Sequence, residues 1–389
     1  MEKVQAEVED HYRSLIVEKT RARGGVLSVG STTIRLAKEF GFCYGVERAI
    51  DLAYATRKVF EDKNLYLIGE IIHNPDVNRQ LRDMGVRNIQ GEDRDADIED
   101  LGPDDVVIVP AFGTTTEVMD QINERGCQVI DTTCGDVLSV WKRVLKYAKD
   151  EATSIIHGKA YHEETRATAS RAMGADGKGH YLVVLDLFQT KYVCDYLQNG
   201  GDRDEFLKKF EGAHSDGFDP DLHLKRIGVA NQTTMLKSET QRMQQLLREA
   251  VLERDNGEEK NFQIFDTICG ATQERQDALH EMLERPPDML LVVGGYNSSN
   301  TSQLVKIGGE KTPTFFIRNS SCIKSLSDIV HFDLDSKTET ESYTDVLLSE
   351  QEVVIGITAG ASCPNNLIEE TILKVFELRG IDRAAIEAA

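Results

Sequence analysis

The sequence predicts an α/β protein assembled from three similar modules, and two observations predict it. Short, nearly continuous apolar runs alternate with amphipathic helical stretches: VVIVPA (106–111), TSIIHG (153–158), YLVVLD (181–186), KRIGVANQTT (225–234), MLLVVGGYN (289–297) and EVVIGITAG (352–360). Runs of this length without polar alternation mark strands buried on both faces, as in a parallel sheet covered by helices. The second observation is an internal repeat. Asp-Thr-x-Cys-Gly occurs as DTTCGDV at 131–137 and as DTICGAT at 266–272, each followed by a helical pattern. EFGFCYGVERAIDLAYA at 39–55 repeats the scheme more loosely. Three such modules around one centre would bring Cys43, Cys134 and Cys269 together.

Module boundaries follow from the repeat. Residues 1–30 read as an extension, a polar helix through about Ala22 and then a break at Gly24-Gly25. Residues 31–130 form a first module with Cys43, 131–265 a second with Cys134, and 266–385 a third with Cys269. The segment 197–224 is charged and rich in Gly and Asp, and reads as an insertion or linker inside the second module.

Composition narrows the class. A chain of 389 residues with 40% hydrophobic and 29% charged residues can build well-formed cores and reads as folded and soluble. No apolar run approaches the ~20 residues of a membrane span. The N-terminus, MEKVQAEVEDHYRSL, has no apolar core and is acidic, unlike a secretory or transit peptide, so a cytoplasmic location with reduced thiols is expected. The net charge of −21 opposes nucleic acid and anionic membrane surfaces, and neither is an expected partner. A small anionic substrate is not excluded, because local donors in a cleft outweigh a screened surface field. The seven cysteines are odd in number and contain no CxxC pair, which argues against a disulfide scaffold, a zinc ribbon and a two-cluster ferredoxin.

Cys43, Cys134 and Cys269 each stand at the expected start of a helix. Unpaired N–H groups and the positive end of the helix dipole favour thiolate there. Thiolates bind zinc or iron–sulfur clusters. Three on a four-iron cluster would leave one iron open as a Lewis acid. The competing reading is that these are small core residues repeated between modules, since free cysteine is commonly buried. Cys127, Cys194 and Cys322 lack the setting and read as core; Cys363, in GASCP, reads as near the site without being a ligand.

Polar groups cluster at the ends of the apolar runs. IIHNPDVN offers His73, which has a structural reading as well as a binding one. IIHGKAYHEET offers His157, Lys159, His162, Glu163 and Glu164, dense for a solvated loop. ANQTT places Thr233 and Thr234 at a strand end, where an N-cap is the alternative. GGYNSSNTSQL supplies Asn297, Ser298, Ser299 and Asn300 before a helix, a natural anion cradle, and ITAGASCPNN repeats the idea with Ser362. No GxGxxG, Walker-type or HExxH motif supports a nucleotide or zincin reading.

With these residues in place, the sequence resembles the 4-hydroxy-3-methylbut-2-enyl diphosphate reductase family over roughly 30–385. GFCYGVERAI, EIIHNPDVN, DTTC, YHEET, NQTTMLKSET, DTICGATQERQDA, GGYNSSNTSQL and GITAGASCP match family motifs in family order. PAFG at 110–113, IIHGK at 155–159 and the insertion ending in GFDP (217–220) resemble the longer plant and cyanobacterial branch. The resemblance implies an α/β trefoil, a pseudo-three-fold arrangement around a central 4Fe-4S cluster held by Cys43, Cys134 and Cys269 with one open iron. It implies reductive dehydroxylation of an allylic diphosphate to isopentenyl and dimethylallyl diphosphates, the last step of the methylerythritol phosphate pathway. Glu164 would supply the proton for the leaving hydroxyl, with Thr233 in the same relay. His73, His162, Ser298, Ser299, Asn300 and Ser362 would hold the diphosphate. A ferredoxin or flavodoxin would deliver electrons to a monomer or homodimer. A hydro-lyase would use the same open iron without net reduction, and an iron–sulfur sensor would have no use for Glu164 or the Ser-Ser-Asn run.

Two positions depart from the family pattern. Many bacterial relatives carry a diphosphate-binding histidine where this chain has Phe112, so Lys159 or His157 is expected to supply the missing charge. Gly135 stands where relatives usually have proline, which loosens the helix start but leaves the ligand at Cys134.

Overall fold

The computed structural model describes residues 2–265 and 268–389, so Asp266 and Thr267 of the second Asp-Thr-x-Cys-Gly copy lie outside the described residues. The chain folds into two compact units. One comprises Met1–Glu61, Glu70–Val86 and Gly270–Ala389, and the other Asp62–Gly69 and Arg87–Cys269.

The first unit is built on a five-stranded sheet in the order Val26–Val29, Thr32–Leu36, Val353–Ala359, Met289–Val293, Thr314–Ile317. Only the first pair is antiparallel; the remaining pairings are parallel. Met-Leu-Leu-Val-Val at 289–293 is buried at every residue, as a strand covered by helices on both faces requires. Strand Thr32–Leu36 therefore lies beside strands from the C-terminal third of the chain, not beside those that follow it in sequence. A separate antiparallel pair, Asp328–Asp333 with Thr338–Tyr343, completes the strands of this unit.

The N-terminal region is two helices, Glu2–Tyr12 and Leu15–Ala22, rather than one. The break falls at Ser14, whose hydroxyl accepts from the Val17 N–H at 3.0 Å and starts the second helix as its N-cap. Ile16 and Val17 are buried, and the Tyr54 hydroxyl on helix Tyr44–Val59 donates to that of Tyr12 at 2.9 Å. These residues are part of the unit's core, which the polar average of the segment concealed.

The second unit carries two four-stranded sheets. One runs Phe262–Ile264, Ile227–Asn231, Thr153–His157, Tyr181–Val184, all parallel. The other runs Val86–Asn88, Leu65–Leu67, Val106–Val109, Gln128–Asp131, with its edge strand entering from the unit boundary. All six apolar runs are thus strands of parallel sheets. Among the described residues no helix is long and apolar enough to cross a membrane.

The segment 197–224 is not a linker. It contains helices Arg203–Lys209 and Pro220–His223, and it buries Phe206, Phe210, Phe218 and Leu224 against Leu182, Val184, Val229 and Leu247. Phe206 and Phe210 stand one helical turn apart and face inward, with ring centroids 4.9 Å apart and Phe206 4.7 Å from Tyr196. Asp and Gly residues dominate the composition while the aromatic face supplies the packing.

Removing the Phe206 ring should destabilise the second unit by about 3–5 kcal/mol. Phe206→Ala is expected to melt several degrees lower with unchanged far-ultraviolet dichroism at 20 °C. An unaltered melting curve would mean that the segment contributes no core.

Candidate active site

In the first unit the site residues are tied together by a chain of hydrogen bonds. Cys43 occupies the N-cap of helix Tyr44–Val59 in extended conformation, and its N–H donates to the Ala361 carbonyl at 3.2 Å. The Ala361 N–H in turn donates to Asn300 Oδ1 at 2.9 Å. Ser362 Oγ donates to the His73 carbonyl at 3.1 Å. The Cys43 turn, the loop after strand Val353–Ala359, the start of helix Ser299–Gly309 and the His73 turn are therefore mutually fixed.

Glycines make that approach possible. A Cβ on Gly360 would overlap Thr301, and one on Gly295 would overlap the His73 carbonyl. Ser298 caps helix Ser299–Gly309, its hydroxyl accepting from the Thr301 N–H at 3.3 Å and from the Thr301 hydroxyl at 2.9 Å. Ser299 Oγ and Asn300 Nδ2 are buried and have no hydrogen-bond partner among the described residues. Buried donors cost about 1–3 kcal/mol when unmet, so a helix start with two of them fits an anionic oxygen ligand.

Two residues that the sequence reading missed orient these groups. Glu70 Oε2 lies 2.9 Å from His73 Nδ1 and accepts from Asn297 Nδ2 at 2.7 Å, which fixes the imidazole plane. Its position three residues before His73 in GEIIHN was the available signal. Arg275 reaches the carbonyls of Gly41 and Phe42 just before Cys43.

The second unit holds the other two cysteines and the carboxyl group. Cys134 is the N-cap of helix Gly135–Lys149, and its N–H donates to the Ala111 carbonyl at 2.8 Å. The Cys269 N–H reaches the Thr233 carbonyl at 3.4 Å, one residue before helix Gly270–Leu283 begins. Glu164 is 3% exposed, in the first turn of helix Glu163–Ala172. Its Oε1 accepts from the Thr233 N–H at 2.6 Å and its Oε2 from the Thr233 hydroxyl at 3.1 Å. His162, the N-cap, accepts the Glu164 N–H on Nδ1 at 3.2 Å, so in the neutral ring the proton sits on Nε2. Phe112 stands edge-on to His162, with centroids 6.4 Å apart. Gln232, also missed, accepts from the Lys159 N–H at 3.2 Å and the Thr165 hydroxyl at 3.1 Å and so shapes the loop after strand Thr153–His157.

The three expected ligand cysteines are partly exposed, whereas Cys194, Cys322 and Cys363 are buried. Burial pushes the Cys194 thiol up to about 11 and that of Cys363 further still. Cys127 is half-buried and packs against the Val107–Ile122 core. Soft, partly exposed thiols at helix starts suit an iron–sulfur cluster or zinc, and these are the residues that would hold it.

His157 is corrected by the structure. Its ring is wholly buried, Nδ1 lies 2.7 Å from the Thr240 hydroxyl, and burial lowers it from 6.5 to about 4, against the opposing influence of Asp186. Neutral at pH 7, it braces helix Lys237–Arg254 and supplies no positive charge to an anion. Lys159 remains the candidate for that role.

An α/β fold of parallel sheets whose strand ends carry helix-opening thiols, a threonine-held carboxyl and an anion cradle defines a class of enzymes built on strand-end cysteines. The LytB protein family model matches residues 34–376, and the chain belongs to that family. Curated relatives named 4-hydroxy-3-methylbut-2-enyl diphosphate reductase share 45% identity. The one from Nostoc sp. aligns over 97% of this chain and 92% of its own length, and the one from Gloeobacter violaceus over 99% and 92%. A solved (E)-4-hydroxy-3-methyl-but-2-enyl diphosphate reductase, titled the terminal enzyme of the non-mevalonate pathway, superposes with a TM-score of 0.53 at 25% identity, covering 88% of this chain and 99% of that one. The fold is also that of the E-1-hydroxy-2-methyl-but-2-enyl-4-diphosphate reductase from Plasmodium falciparum, with a TM-score of 0.62 at 21% identity over 87% and 86%. The chain is thus an oxidoreductase-family enzyme, as its motifs implied.

The His157 environment carries a pH prediction. Because the folded value lies below the unfolded one, the stabilisation is full above about pH 6.5 and is lost as pH falls toward about 4, where the unfolded chain takes the proton first. The total is roughly 3 kcal/mol. The stability difference between wild type and His157→Gln, measured by urea titration, should narrow between pH 7.5 and 5. A difference independent of pH would remove His157 as the group responsible.

Proposed function

We propose that the chain is a 4-hydroxy-3-methylbut-2-enyl diphosphate reductase, acting in the methylerythritol phosphate pathway, that holds a 4Fe-4S cluster on Cys43, Cys134 and Cys269. The observation that carries the reading is the buried Glu164 carboxyl, held at both oxygens by Thr233. Held by those three cysteines, the cluster would pass on two electrons from the donor and supply Lewis-acid chemistry for the allylic oxygen. The net change is loss of the hydroxyl as water and formation of one C–H bond, consuming two electrons and two protons, to give isopentenyl and dimethylallyl diphosphates.

The chain's own residues account for the remainder. Hydroxide leaves poorly, so a proton delivered to it lowers the barrier. Glu164 would hold that proton, and the Thr233 hydroxyl, which donates to Oε2 at 3.1 Å, would stand in the relay from the carboxyl to the leaving oxygen. Ser298, Ser299, Asn300, Ser362, His73 and His162 bind the diphosphate through neutral donors and imidazole N–H groups. With Phe112 against His162 in place of a donor, Lys159 adds the positive charge. The electron donor is a ferredoxin or flavodoxin, and the enzyme works in the cytoplasm as a monomer or homodimer.

Anaerobic purification should give a coloured protein with a broad visible band, lost in Cys43→Ser, Cys134→Ser and Cys269→Ser, and reductant-dependent turnover of the hydroxylated diphosphate. A well-folded, colourless, iron-free wild type would sink the proposal. Glu164→Gln should keep the colour and lose turnover by at least about 100-fold. Lys159→Ala should raise KM about tenfold, some 1.4 kcal/mol of binding, with kcat little changed. An unchanged KM would rule Lys159 out.

A further inference from the structure

The three cysteine turns differ in length. Strand Gln128–Asp131 ends three residues before Cys134, and strand Phe262–Ile264 five before Cys269. Strand Thr32–Leu36 ends seven before Cys43. The extra chain, Ala37–Phe42, has no regular secondary structure of its own, yet it presents a proposed ligand.

Its peptide groups are held at both ends. On the carbonyl side, Arg21 Nη2 donates to Phe40 O at 2.7 Å. Arg275 donates to Gly41 O from Nε at 3.1 Å and from Nη2 at 2.6 Å, and to Phe42 O from Nη2 at 3.1 Å. Three successive carbonyls are therefore captured by two guanidinium groups. A trans peptide points its N–H away from its C=O. The Gly41 N–H accordingly meets Ala359 O at 3.5 Å and the Cys43 N–H meets Ala361 O at 3.2 Å, both beyond or at the end of strand Val353–Ala359. Gly41 turns the chain at φ +76°, where a Cβ would press on the Cys363 carbonyl at 3.2 Å.

Arg275 is an unusual choice for such a task. It is 3% exposed, with Glu47 within its electrostatic reach, and its hydrogen bonds all go to backbone carbonyls, the Nη1 group donating to Ala271 O at 2.8 Å in its own helix. A buried cation whose hydrogen bonds are all to carbonyls is a costly choice unless its geometry is needed. The planar fork matches two adjacent carbonyls in a way that a lysine ammonium cannot. Arg275 also lies six residues after Cys269, in the helix that Cys269 precedes.

We propose that Arg275 is a positioning residue for Cys43. Its guanidinium fixes the Gly41 and Phe42 peptides so that the thiol is preset before any cluster is bound. The role in cluster retention rests on the iron–sulfur reading above; the role in ordering the turn does not.

Amide hydrogen exchange on the metal-free full chain separates the two. In Arg275→Met, and nearly as strongly in Arg275→Lys, residues 40–46 should exchange about tenfold faster, while the Cys134 turn, 132–138, stays at the wild-type rate. Uniform acceleration of both turns, or of neither, would overturn the proposal, as would wild-type protection in the lysine variant. In the reconstituted protein, iron release to a chelator should be about tenfold faster in both variants with the wild-type visible spectrum initially present. Equal release would refute the role in retention. A wild type that takes up no iron would refute the cluster reading and leave the exchange result standing.

Discussion

A strand buried on both faces can offer polar groups only where it ends, and the chemistry of this protein depends on that constraint. The Met289–Val293, Val353–Ala359, Thr153–His157 and Ile227–Asn231 strands are buried along nearly their whole length. At their carboxyl ends the chain turns, exposes N–H groups and begins a helix, and there stand Ser298, Ser362, His162 and Thr233. Parallel pairing aligns such ends within a sheet. Glycines at 295 and 360 let two of these turns touch, so that one hydrogen-bond chain runs from Cys43 through Ala361 to Asn300.

That arrangement explains why the anion cradle of the first unit is built largely from neutral donors. The cradle uses hydroxyls, an amide and helix N–H groups, and in the second unit the Glu164 carboxyl accepts from the backbone N–H and the hydroxyl of Thr233. Three arginines serve the backbone. Arg275 and Arg21 grip carbonyls of the Cys43 turn, and Arg171 lies 3.3 Å over the Trp141 ring while donating to Thr114 O at 2.6 Å. Placed this way, positive charge stiffens the turns that present the thiols.

Much of this was legible in the sequence because it was written locally. Six apolar runs gave six strands, and the Asp-Thr-x-Cys-Gly repeat placed Cys134 at a helix start, as the looser copy did for Cys43. What escaped was set by partners distant along the chain. Nothing local to Thr32–Leu36 says that its neighbour is Val353–Ala359, and nothing near Arg275 says that its acceptors lie 233 and 234 residues away. His157 looked like a charge beside an anion because it shares a loop with His162; whole burial of its ring decided otherwise. Residues 1–30 and 197–224 were misjudged for one reason. Their averages are polar, and only the spacing of Tyr12, Ile16 and Val17, or of Phe206 and Phe210, carries the buried face.

The second of those segments has a consequence for anyone trimming the protein to a minimal catalytic body. By hydropathy it is the obvious stretch to delete. Doing so would strip the aromatic cover from Tyr192 and Tyr196, whose rings lie 5.8 and 4.7 Å from Phe206, and bare the side of helix Leu187–Asn199 that faces them. Such a shortened chain would present a fresh sticky patch to the chaperones and proteases of its host. The expendable material lies in the solvated Lys and Asp residues of its outer surface, which can be recoded, and not in the length of the segment.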